Sequence, residues 1–92
     1  MAKTIWKFTI QLVDKQVISV PKGTVIRHVA EQNGLVCLWG EVDPDTKVYD
    51  DRTVCIYGTG HPLPDNPGEY IGSVMIRNGT LVFHIYEDTG DV

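Results

Sequence analysis

Ser73 and His84 are the two side chains of this 92-residue chain whose types and placement come closest to covalent chemistry. Asn78-Gly79 lies between two apolar runs and predicts a two-residue type I′ hairpin turn. Counting outward from that turn pairs Ile76 with Leu81, Met75 with Val82, Val74 with Phe83 and Ser73 with His84. A serine facing a histidine is part of a nucleophilic triad, but a triad also needs a group to orient the base and donors for an oxyanion. Neither lies near these residues in the sequence. The pair therefore reads as a hydrogen-bonded structural contact or a ligand contact.

Gly58-Thr59-Gly60-His61 is the second candidate. Backbone amides in a glycine turn can cradle an anion, and Thr59 and His61 add donors. No Walker-type lysine follows, and the GxGxxG spacing is absent. Arg27 and Arg77 are cations available to the same anion. Gly58, Thr59, Gly60, His61, Arg27, Ser73, Arg77 and His84 are thus the expected ligand-binding residues, with no catalytic residue and no cofactor. No metal site is expected. Asp43, Asp45, Asp50 and Asp51 lack the alternate spacing of a calcium loop. Cys37 and Cys55 form no CxxC and read as buried reduced thiols.

The segment GTGHPLPDNPGEYIG (58–72) must carry much of this. Glycine admits unusual backbone angles and proline fixes its own, so the connection has a specified path. Long ordered loops on rigid scaffolds commonly bind. Around it, the chain reads as strands. Thr4–Leu12 alternates, with Trp6, Phe8, Ile10 and Leu12 on one side. Gln16–Val20 is a short second strand. Residues 24–32 fit a strand leading into an Asn33-Gly34 hairpin, or one short helix. In the strand reading, Arg27 and His28 point to opposite faces. Leu35–Val42 is nearly continuously apolar and suits a central strand, with Trp39 and Trp6 in the core. Asp43–Arg52 reads as a surface loop and Thr53–Tyr57 as a strand. The last hairpin has a core face and a second face bearing Ile71, Met75, Val82 and Tyr86. That second face is too apolar for plain solvent: either it is covered within the monomer, or it meets another subunit or a ligand, and a homo-oligomer is the expectation. The acidic end, EDTGDV, reads as frayed. The expected fold is mainly β, a small antiparallel sandwich or open barrel of about seven strands in one domain, 1–92.

Composition excludes several classes. At 42% hydrophobic and 22% charged, the chain is an ordinary globular one. A net charge of −4 argues against a binder of duplex nucleic acid. No run approaches the roughly 20 apolar residues of a membrane span, and the alternating N-terminus lacks the apolar stretch of a signal peptide. Cytoplasmic placement is the default.

The chain resembles a family of small phage- and prophage-encoded domains of unknown function. The resemblance rests on KTIWK (Lys3–Lys7), QNG…CLW (Gln32–Trp39), IYGTGHPLP (Ile56–Pro64), EYIGS (Glu69–Ser73) and LVFHIYE (Leu81–Glu87). It implies a phage gene whose product acts in the infected bacterial cell, and it brings no assigned site residues. The resulting expectation is a non-enzymatic accessory protein that sequesters a small anionic or nucleotide-like ligand of host defence. The alternative is a protein–protein interaction module acting on a host or virion component.

Overall fold

The computed structural model describes residues 2–88. Seven strands follow one another: β1 (Thr4–Ile10), β2 (Lys15–Pro21), β3 (Val25–Gln32), β4 (Leu35–Val42), β5 (Tyr49–Gly58), β6 (Glu69–Ile76) and β7 (Leu81–Asp88). All pairings are antiparallel. They build two sheets, ordered β1-β4-β3 and β2-β5-β7-β6, that face each other as an open sandwich. No described residue is helical, and no helix is long and apolar enough to cross a membrane.

Alternation explains the layering. Ile10, Val29, Val36 and Leu38 from one sheet meet Val54, Ile56, Val74 and Ile85 from the other. Each such side chain, fully buried, contributes about 1.5–3 kcal/mol. Residues 24–32 form a strand rather than a helix, and Asn33 (φ 54°) and Gly34 (φ 83°) turn it into β4, with Gln32 opposite Leu35. The carboxylate of Glu31 accepts the Gly34 amide and braces this turn. The last hairpin has the predicted register from Ile76↔Leu81 to Ser73↔His84. Asn78 (φ 57°) and Gly79 (φ 83°) occupy its turn, closed by Thr80 N donating to Arg77 O at 3.1 Å. Arg77 is also left-handed (φ 52°).

Two bulges shape the edges. Register shifts between Ile26 and His28 on β3, leaving Arg27 as the extra residue, and between Tyr70 and Gly72 on β6, leaving Ile71. The second bulge corrects an expectation. Ile71 turns inward against the core and does not share a face with Met75 and Tyr86. Gly72, two residues from inward Val74, lies on the inner face where β6 packs against β3. A Cβ at Gly72 would stand 2.9 Å from Val29 Cγ1, so glycine permits this close approach.

Four further expectations need correcting. β1 ends at Ile10, not Leu12. There the Gln16 amide accepts from Gln11 N and donates to Gln11 O (3.0 and 2.7 Å), bending the chain and leaving Leu12 exposed. Trp39 lies outside the core: alternation puts Leu38 inside and Trp39 on the outer face, half-buried beside His28. β5 begins at Tyr49, so Tyr49–Arg52 is strand and not loop, paired with Ile18–Pro21 of β2. Glu87 and Asp88 belong to β7, while the rest of the expected frayed end lies outside the described residues. Cys37 and Cys55 are free and buried, in different sheets.

Candidate functional site

β5 and β6 both pair antiparallel with β7, so they run parallel to each other. Gly58 ends beside Phe83, but β6 starts beside Glu87. The chain must therefore travel back along β7 through residues 59–68. Pro62, Pro64 and Pro67 restrict the backbone along this crossover. The core fills the inner side of β7, and the crossover passes on the outer side. There Leu63 and His61 line a slot of about 220 Å³ with Tyr57, His84 and Tyr86.

Each glycine of the loop has a distinct task. Gly60 (φ 87°) is the left-handed residue of a turn closed by His61 N donating to Gly58 O at 3.1 Å. Gly58 seats the His61 ring, for a Cβ there would lie 2.9 Å from both Nδ1 and Cε1 of that ring. Gly68 (φ 99°) lands the crossover on β7, where a Cβ would lie 2.2 Å from Glu87 O.

The polar wall is one hydrogen-bonded chain. Tyr70 Oη lies 2.6 Å from Ser73 Oγ, Ser73 Oγ 2.7 Å from His84 Nδ1, and His84 Nε2 2.8 Å from Thr59 Oγ1. Thr59 Oγ1 donates onward to Val82 O at 3.4 Å. A hydroxyl has a single proton to donate. If Thr59 donates to Val82, it accepts from His84 Nε2–H. His84 Nδ1 then accepts from Ser73, and Ser73 accepts from Tyr70. This assignment satisfies every group in the chain. Ser73 thus has a base, but a threonine takes the place of a carboxylate behind it. The amides of Thr59 and His61 are donated to the Val82 and Gly58 carbonyls, at 3.3 and 3.1 Å.

The aromatic wall is built from Tyr86, with Tyr57 edge-on at 5.7 Å and Tyr70 tilted at 5.3 Å. Burial pushes the Tyr57 phenol above its ordinary value of 10, helped by Cys55 and, more weakly, Asp88 and Tyr86. The His61 ring makes no side-chain hydrogen bond among the described residues, in contrast to His84.

Of the expected site residues, Gly58, Thr59, Gly60, His61, Ser73 and His84 come together here. The two arginines do not. Arg27, pushed out by its bulge, donates through Nε and Nη2 to both oxygens of Glu41, at 2.9 and 3.3 Å. That hydrogen bond raises the Arg27 pKa and holds Glu41 below its ordinary value. Arg77 lines a separate concavity of about 540 Å³ between the two Asn-Gly turns, with Leu12 and Glu31. Sequence reasoning missed Tyr57, Tyr70 and Leu63. Alternation in β5 marks Tyr57 as outward, but only the β5–β7 pairing shows that it stands beside His84.

A family model described as "Domain of unknown function (DUF7352)" matches residues 1–92. The chain belongs to the DUF7352 family. No curated protein and no solved structure matches it.

Proposed function

We propose that this chain is a non-enzymatic accessory binding protein of a phage, and that the slot beneath the crossover takes a small nucleotide-like ligand by its base. The observation that carries this reading is the make-up of the slot. Two tyrosine rings and a hydrogen-bonded imidazole offer flat apolar surface, and His61 offers an unengaged polar ring at the mouth. No lysine or arginine lines it, so a phosphate meets only His61, whereas a planar base meets most of the wall. Ring stacking of this kind is worth about 1–3 kcal/mol per base. Catalysis by Ser73 is disfavoured by Thr59 behind the base and by the internal use of the nearby amides. In this reading the protein sequesters a nucleotide signal of host defence. A second copy covers Met75 and Val82 at the far end of the same face, where Met75 is 66% exposed.

A thermal-shift screen of nucleosides, mononucleotides and cyclic nucleotides tests the reading. Ligand at a hundredfold excess over its Kd stabilises by about 2.7 kcal/mol. Nucleosides shift the wild type, Tyr86→Ala abolishes the shift, and His61→Ala weakens it only for phosphate-bearing ligands. No shift with any of them leaves a protein partner as the better reading.

A further inference from the structure

The four sheet edges are not alike. β3 and β6 each carry a bulge, and the two pack on one another along one side of the sandwich. β2 ends in Pro21, which has no N–H to offer. β1 is blunted by charge alone, through Lys7 at its centre. It pairs with β4 residue for residue, from Thr4↔Val42 to Ile10↔Val36, without bulge or proline. Its other side is a regular row of unpaired backbone groups, which proteins usually blunt.

The side chains of this edge are ordered by face. Trp6 and Phe8 share the inward face with Ile10 but are only half-buried, since no strand lies beyond them. Ile5 and Lys7 stand on the outer face, and Lys3 continues that row. Lys3 and Lys7 are the only charged residues from Lys3 to Ile10, and both are positive in a chain of net charge −4. Lys7 is held by one exposed bond to Gln32 at 2.8 Å, and Glu41 near Lys3 is already bonded to Arg27.

We propose that β1 accepts an extended segment of a partner protein as an added strand, and that this segment alternates acidic and apolar residues. Backbone hydrogen bonds dock the segment. Its acidic side chains meet Lys3 and Lys7 on the outer face, and its apolar side chains cover Trp6 and Phe8 on the inner face. A second copy of β1 fits less well, because it brings two lysine rows to one junction. This surface is independent of the slot beneath the crossover.

The test is an NMR titration of the 15N-labelled protein with a short, end-capped peptide alternating Glu and Val, against one alternating Lys and Val. The expected result is shifted and exchange-protected amides within Thr4–Ile10 for the acidic peptide alone, weakening as salt is added. Lys3→Glu/Lys7→Glu, with its fold checked by circular dichroism, reverses the preference, and Lys3→Gln/Lys7→Gln weakens acidic binding by roughly tenfold. Absence of acidic-peptide binding overturns the proposal. So do shifts confined to β2 or β6, equal binding of both peptides, or self-association of the free protein that protects β1.

Discussion

Two glycines at opposite ends of the β6–β7 unit separate conformational cost from steric cost. Gly79 has a left-handed φ but open space around its missing Cβ. Gly79→Ala is expected to destabilise by about 1 kcal/mol, from backbone strain alone. Gly68 has a left-handed φ and a backbone carbonyl 2.2 Å from the Cβ position. Gly68→Ala is expected to cost more than about 2 kcal/mol, because the crossover must lift off β7. Urea midpoints of the two variants check the order, and equal midpoints contradict it. The Tyr57 phenol gives a pH-dependent counterpart. Its pKa is raised in the folded chain, so folding favours the protonated form. The associated stability is present below the unfolded-state pKa and is lost as pH rises through the folded value. Absorbance of phenolate should show Tyr57 ionising above the ordinary tyrosine range, and Tyr57→Phe should remove that contribution. At this scale the sequence was informative where spacing alone sufficed. Asn78-Gly79 fixed Ser73 opposite His84 because strand pairing is counted outward from a turn. Thr59 as the third member could not be counted out, since it depends on β5 lying beside β7.

Elements are tied together at one end of the sandwich by Arg52. Its Nη1 donates to Glu87 on β7 at 2.8 Å, and its Nη2 donates to Thr24 O in the β2–β3 connection at 2.8 Å. Asp50 stands 3.8 Å away. Arg52 and Glu87 side chains are 20% and 15% exposed, so the pair is largely sheltered from water. Arg52→Met leaves a carboxylate and a carbonyl without their donor and is expected to cost about 1–3 kcal/mol. Adding Glu87→Gln should recover part of that loss. A double-mutant cycle by urea denaturation reads the coupling, and strict additivity would show that the contact is incidental. The strand pattern itself was legible, since period-two alternation and two Asn-Gly turns name most of the seven elements. The bulges were not. Each inserts one residue without a local signal, and each re-aims a side chain: Arg27 outward to Glu41, and Ile71 inward to the core. Trp39 was misplaced for a related reason. A continuously apolar central strand does not tell its inner face from its outer one.

The whole molecule leaves the outer face of its four-stranded sheet partly apolar, with Tyr70 55% and Met75 66% exposed. In the proposed reading, sedimentation at micromolar concentration shows a dimer, and Met75→Lys shifts it toward monomer because a buried unpaired ammonium is costly. A monomer for the unmodified chain would leave that end of the face to solvent. The larger claim is that the crossover and β7 together hold a base-sized ligand. It joins the glycine turn, the prolines, the fixed His84 and the tyrosine wall, which the sequence showed only as separate fragments. The most direct measurement is a two-dimensional NMR titration with a nucleoside, a matching mononucleotide and inorganic phosphate. Nucleoside and mononucleotide are both expected to perturb the Tyr57, Thr59, His84 and Tyr86 amides, only the mononucleotide to add a change at His61, and phosphate alone to do little. Perturbation by phosphate alone, or by nucleotide at Arg77 with the slot silent, would contradict that claim.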